Sequence, residues 1–380
     1  MKKFELSLSV DYVKHWGVWE AVREIWQNAL DFGNYTYTWE NGEPNIMKVT
    51  SKDVALETES LLLGKSTKSN NEDTIGMYGE GFKLALLVLT RMGKTVTIYN
   101  ACRNEIWRPK IVKSRKYKAE ILTIFVEKHI FPDLYNDDLT FEIVGITNEE
   151  LEEMNQKNLH MNNRINQLNK IETSYGDILL DKLSDKPVVY VNGLYISKIP
   201  VNGYRYSYNI KPKYISLDRD RRCVDGFNFK WLTSEMWSSI FLEKRELVIK
   251  MIEKKILDVA YIDSHLSLKK CDIISQEFVR RHGDNSIAVY SDDEYKAVKR
   301  EHGSLANPVI VNNTYKCILK QSNLYNATIN NIPKRSRGVR QKSPYQIISD
   351  MCNEIEQNNP SLHALKKICG MSKQWKWKIV

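Results

Sequence analysis

No run of about 18 uncharged apolar residues interrupts this 380-residue chain, which excludes an ordinary transmembrane helix. Its six cysteines, at 102, 223, 271, 317, 352 and 369, include no CxxC pair. A structural zinc site is therefore not expected, and free thiols in a reducing compartment are. Seven histidines form no HxxxH or HxH cluster, so they offer no metal-ligand spacing. The absence of a fixed-period repeat and of a long low-complexity run excludes solenoid and fibrous architectures. Residues 1–10 alternate charged and apolar residues without the apolar centre of a secretory signal, so a cytoplasmic protein with no membrane partner is expected.

What is present suits a chain that buries a sizeable core. Apolar residues make up 42% of the sequence, and its length predicts two or three domains. Lysine and arginine outnumber aspartate and glutamate by 56 to 47, a net charge of +9 that is modest for this length. Val18, Val22, Ile25, Trp26 and Ala29 recur at helical spacing and predict an amphipathic helix over 17–32. A second, almost wholly apolar helix is predicted over 82–92, and its lack of a polar face argues for deep burial. Strands follow at 95–100, 105–112, 119–127 and 139–144, then a polar helical stretch over 147–172.

A second domain is expected from 173, with a hairpin over 188–196 turning at Asn192-Gly193. Its strands lead into Asp218-Arg219-Asp220-Arg221-Arg222, and helical patterns occupy 230–260. Beyond 260 helix and strand alternate, including Pro308-Val309-Ile310-Val311. A basic linker over 326–343 precedes helical patterns at 344–357 and 361–369. The linker and the terminal Trp375-Lys376-Trp377-Lys378 make residues 334–380 a candidate DNA or RNA contact, because cations meet phosphate and aromatic rings stack on bases. The competing reading is a solvated linker and tryptophans packed on the body.

Three segments carry chemistry. Glu24, Asn28 and Asp31 stand at i, i+4 and i+7, one side of the first helix, opposite its apolar set. Taken alone they read as a solvated face. Ile75-Gly76-Met77-Tyr78-Gly79-Glu80-Gly81-Phe82-Lys83 places three glycines directly before the buried helix. Glycine allows close backbone approach, and a helix N-terminus offers free N–H donors, so the pair suits phosphate. Leu63-Gly64-Lys65-Ser66-Thr67-Lys68-Ser69 adds two cations and three hydroxyls on a loop.

Together these segments resemble the ATP-binding domain of the GHKL superfamily, shared by gyrase, Hsp90, MutL-type and MORC proteins. Glu24-Ile25-Trp26-Gln27-Asn28-Ala29-Leu30-Asp31 is similar to the family's first box, the glycine run to its later box, and Gly64-Lys65-Ser66-Thr67-Lys68 to its lid start. Their order along the chain also matches. The resemblance implies an α+β protein: a Bergerat-type α/β sandwich over 1–172, a smaller transducer-like α/β domain over 173–260, and a mainly helical region over 261–380. It implies ATP and Mg²⁺ as cofactors, and an ATPase whose nucleotide state switches lid, domain arrangement or homodimerisation.

By the same resemblance Glu24 is the general base and Asn28 the Mg²⁺ ligand. Asp31 supports the helix or the pocket. Gly76, Gly79, Gly81 and Phe82 belong to the phosphate loop, and Ser66 and Thr67 to the lid. Lys83, Lys65 or Lys68 adds a point charge. An arginine of 218–222, or Lys211, Lys213 or Lys230, would reach the γ-phosphate from the second domain.

One element of the family pattern is missing. Where the family carries Asp-x-Gly-x-Gly, this chain has Val49-Thr50-Ser51-Lys52-Asp53-Val54-Ala55-Leu56, without glycine. Ser51 or Asp53 takes the place of the adenine-reading aspartate. The alternatives to an ATPase are a non-hydrolysing nucleotide sensor and a nucleic-acid-binding or interaction protein that keeps only the fold. A histidine kinase of the superfamily is not expected, because only fourteen residues precede His15 and the box of those kinases lacks a glutamate four residues before the asparagine.

Overall fold

The computed structural model describes residues 1–62, 80–131, 138–217, 226–335 and 343–358. It is an α+β protein with a large antiparallel sheet. By internal contacts the chain divides into two compact units, residues 1–275 with 311–322, and residues 276–310 with 323–380.

The first unit opens with β1 (Lys2–Ser9), α1 (Val18–Phe32), β2 (Tyr35–Glu40), β3 (Ile46–Ser51), α2 (Gly81–Arg91), β4 (Thr95–Asn100), β5 (Glu105–Lys113), β6 (Glu120–Lys128) and β7 (Leu139–Val144). The seven strands form one sheet in the order β1-β6-β5-β4-β7-β3-β2, antiparallel at every junction. Alternation sets its inner face. Met47 and Val49 on β3, Val96 and Ile98 on β4, and Phe141 and Ile143 on β7 are buried in one core with α1 and α2. The helices pack on each other, α1 also on β2 and β3, and α2 on β4 and β5. Every residue of α2 from Phe82 to Leu89 is buried, as its almost wholly apolar sequence requires.

Gly17 donates its N–H to Glu20 Oε2 at 2.9 Å at the start of α1, and Gly33, at φ +83°, closes it by donating to Ala29 O and Leu30 O. Trp26 anchors α1 on the sheet, its ring 5.7 Å from Tyr35 and 5.1 Å from Tyr37.

The polar helix expected over 147–172 is shorter. Helix α3 (Asn148–Lys157) stops before Asn158, whose φ of −123° is not helical. Asn162 and Asn163 then take left-handed conformations that asparagine tolerates. The short α4 (Arg164–Gln167) leads into β8 (Lys170–Thr173), β9 (Gly176–Leu179), β10 (Val188–Val191), β11 (Leu194–Lys198) and β12 (Ser207–Ile210). These make a second sheet ordered β11-β10-β12-β9-β8, parallel only between β10 and β12. The hairpin turns at Asn192 and Gly193, both at positive φ, as expected of Asn-Gly.

Helices α5 (Gly226–Ser239) and α6 (Arg245–Glu253) follow, then α7 (Leu268–His282). β13 (Ser286–Val289), α8 (Asp292–His302) and β14 (Asn307–Ile310) form a parallel strand pair with its crossover helix in the second unit. The described chain ends with α9 (Asn313–Gln321), α10 (Asn323–Asn330) and α11 (Pro344–Asn358). No helix among the described residues is long and apolar enough to cross a membrane. Cys102, Cys271 and Cys317 are free thiols.

Candidate functional site

Glu24 is not on a solvated face. It is 3% exposed, and its carboxylate lies against the first residue of α2: a Cβ built on Gly81 would stand 2.3 Å from Glu24 Oε2. A side chain there would force the Glu24 carboxylate to shift. The first box and the end of the glycine run, separated by more than fifty residues in the sequence, are thus in direct contact. Arg23 is buried beside Glu24, and its Nη2 donates to Glu24 Oε1 at 3.2 Å.

One turn further along α1, Asn28 is half-buried and its Nδ2 donates to Glu24 O at 3.0 Å. The amide is thereby oriented by its nitrogen, and Oδ1 is the atom of the type a hard cation takes. Asp31 is half-buried at the last turn of the same helix.

Glu80 is the N-cap of α2 and its side chain makes no capping hydrogen bond. The first intrahelical bond at this end runs from Leu84 N to Glu80 O, so the N–H groups of Gly81, Phe82 and Lys83 belong to the first turn and have no acceptor within the helix. The Phe82 ring is buried in the core.

Lys83 points elsewhere. It is fully buried, and its Nζ donates to Ser60 O at 2.9 Å and Leu62 O at 2.6 Å. Burial pushes the ammonium below the ordinary lysine range, and the nearby Glu80 charge acts in the opposite sense. The lysine that adjoins the glycine run in sequence is therefore bonded to the 3-10 turn Thr58–Leu61 and the residue after it.

Ser51 and Asp53 separate clearly. Ser51 ends β3 and is 5% exposed, on the face of Met47 and Val49, paired with Tyr35 on one side and Leu139 on the other. Asp53 is exposed, at φ +55°. The chain beyond it is held by Asn100, fully buried at the end of β4. Asn100 Oδ1 accepts from Leu56 N at 3.2 Å, and its Nδ2 donates to Leu56 O at 2.8 Å. Lys52 Nζ lies 2.5 Å from Asp138 Oδ2 beside it.

Lys65, Ser66, Thr67, Lys68, Gly76 and Gly79 lie outside the described residues, as do Asp218 to Arg222, residues 336–342, and the terminal tryptophans. Lys211 donates to Ser174 O at 2.9 Å, Lys213 stands over the Tyr214 ring at 5.2 Å, and Lys230 is half-buried on α5.

Sequence reasoning missed Arg23 and Arg91. From the last turn of α2, Arg91 donates to the carbonyls of Val10, Tyr12, Val13 and Trp16, which fixes the loop leading into α1. A charged pair flanked by apolar residues, Ala21-Val22-Arg23-Glu24-Ile25, is the signal that could have found the first of these. Compared with known proteins, the chain matches no protein-family model and no curated protein sequence.

Proposed function

We propose that this chain binds ATP with Mg²⁺ and hydrolyses it, through a GHKL-type, Bergerat-type sandwich in its first 172 residues. The observation that carries the reading is the contact of Gly81 with the Glu24 carboxylate. A buried carboxylate, a half-buried amide and the uncapped start of a helix share one locality, and two sequence motifs predicted from the family meet there.

The residues fit the group they would hold. The N–H donors of the first turn of α2, which have no acceptor within the helix, suit phosphate oxygens, and glycine leaves room for them. Asn28 Oδ1 suits a hard cation. No cluster of three His, Cys, Asp or Glu side chains able to hold a metal occurs among the described residues, so the cation would be shared between Asn28 and the phosphates. Bound Mg²⁺ and ATP supply the Lewis acid and the leaving group. Glu24 orients water and takes its proton on a carboxylate oxygen. Lys83 is bonded to backbone carbonyls, so the cationic part falls to Lys65 or Lys68.

In this reading residues 173–260 form the transducer-like domain and 261–380 carry partner contacts, with nucleotide state switching the arrangement or homodimerisation. Mg²⁺-dependent turnover by the purified chain, beside Glu24→Ala and Asn28→Ala, is the test. Turnover lost in both variants is the expected result. Nucleotide binding without turnover would favour a non-hydrolysing sensor, and absence of both would remove the reading.

A further inference from the structure

Arg23 and Glu24 are neighbours in sequence, and adjacent residues on a helix project about 100° apart. Their contact is therefore not a consequence of helix geometry. The long arginine side chain has to turn along the helix to reach the carboxylate, and the structure shows what it rests on. Its guanidinium carbon stands 5.7 Å from the centre of the Trp16 ring, and Trp16 is itself buried. Trp16 in turn is held by its carbonyl, which accepts from Arg91 Nη2 at 3.2 Å.

Arg23 is only 4% exposed, and its Nε is a buried donor with no hydrogen-bond partner among the described residues. A guanidinium placed to stabilise the fold would have its donors satisfied, since each unpaired buried donor is unfavourable. Here the fork is under-used on one edge and joined to Glu24 on another. Its cation also compensates the one carboxylate that α1 buries against α2.

We propose that Arg23 is a positioning residue for Glu24. With Gly81 against Oε2 and Arg23 on Oε1, the carboxylate is bounded from two sides and held in one orientation. Trp16 and Arg91 form the support behind the arginine. The role rests on the ATPase reading above, in which Glu24 orients the attacking water. It adds a residue that touches neither nucleotide nor water and acts only through the carboxylate.

The experiment compares the full chain with Arg23→Met, Arg23→Lys, Glu24→Gln and the Arg23→Met/Glu24→Gln double variant. Turnover, nucleotide affinity and thermal unfolding are measured for each. Arg23→Met is expected to lower kcat about 100-fold, the scale on which a misplaced catalytic group fails, with ATP affinity within about threefold of the parent. Arg23→Lys, which keeps the charge, should recover part of the lost kcat. In unfolding, Arg23→Met should lower Tm by removing the cation that compensates a buried carboxylate, and adding Glu24→Gln should restore part of it.

Unchanged kcat in Arg23→Met would overturn the proposal. So would a Tm loss that Glu24→Gln does not relieve, accompanied by equal losses of kcat and affinity, because that pattern describes a purely structural arginine. If the parent chain shows no turnover, the ATPase reading falls and this role falls with it. The Tm coupling would then report the ion pair alone, which separates the two failures.

Discussion

Gly81 and Glu24 are in such close approach that a single added carbon on the glycine would stand 2.3 Å from the carboxylate oxygen. Gly81 begins a helix, where alanine is normally the better residue by about 0.5–1 kcal/mol. Here the sign reverses. Gly81→Ala should destabilise the fold by about 1–3 kcal/mol, the range for overpacking a filled site, and should abolish any turnover that depends on Glu24. Introducing Glu24→Ala beside it opens the space, so the double variant should be more stable than Gly81→Ala alone. Urea unfolding of the four proteins reads the cycle. Additive losses would mean that the two residues do not share the site.

Lys83 offers a sharper distinction, between a phosphate ligand and a backbone anchor. Its two carbonyl acceptors, Ser60 O and Leu62 O, lose their donor in Lys83→Met. The variant should lose about 2 kcal/mol of stability, the size of an unpaired buried group reduced by the relief of not burying a charge. If the anchor is the whole role, ATP affinity stays within about threefold of the parent. A tenfold or greater loss of affinity, equivalent to about 1.4 kcal/mol, would instead put the ammonium on a phosphate in the bound state.

His160 couples the region after α3 to the β10–β11 hairpin. Its Nε2–H donates to Asn192 O at 2.9 Å, and burial pushes the imidazole below its ordinary value of 6.5. The folded chain therefore resists protonating it more than the unfolded chain does. The sign follows directly: the contribution is intact above pH 6.5 and is lost as pH falls from there toward the depressed folded value. Tm should decline between pH 7.5 and 5, and His160→Gln should flatten part of that decline (ranges of about two pH units are what such linkage spans). His265, also pushed down by burial, acts with the same sign, so the difference between parent and variant is the quantity to follow.

Much of this architecture was legible in the residues. The apolar recurrence of α1, the almost wholly apolar sequence of α2 and the alternation of β4 to β7 each report burial through local pattern alone. Strands β1, β2 and β3 escaped that reading. β1 and β2 are the two edges of the sheet, where one side of the strand meets solvent and carries Lys3, Glu5, Thr36 and Thr38, while β3 carries Lys48 on its outer face. The stripe of Glu24, Asn28 and Asp31 was visible, but the burial of Glu24 was not, because it depends on where the start of α2 comes to rest. Lys83 misled for a related reason. Two residues beyond Gly81 is about 200° around the helix, so the lysine leaves on the side away from Glu24.

The missing middle box makes a last prediction. Ser51 occupies the buried end of β3, and no hydrogen bond joins its hydroxyl to another described residue, whereas Asp53 is exposed in a left-handed turn. If the adenine-reading position of the proposed nucleotide site is Ser51, Ser51→Asp places a carboxylate where the family that the sequence resembles has one. Without nucleotide that carboxylate is buried without a compensating cation, which should cost about 3–5 kcal/mol. With ATP it gains the amino group of adenine as a donor. The variant should therefore start at a lower Tm than the parent but rise further on adding Mg²⁺ and ATP, and it should rise less with GTP, whose ring presents a carbonyl at that place. A hydroxyl both donates and accepts, so the parent should separate the two nucleotides less well than the variant does. Asp53→Ala is the control, expected to leave both shifts unchanged because the side chain is exposed. Loss of the ATP shift in Asp53→Ala, with no gain in Ser51→Asp, would move base recognition to Asp53 and require the turn after β3 to rearrange when nucleotide binds.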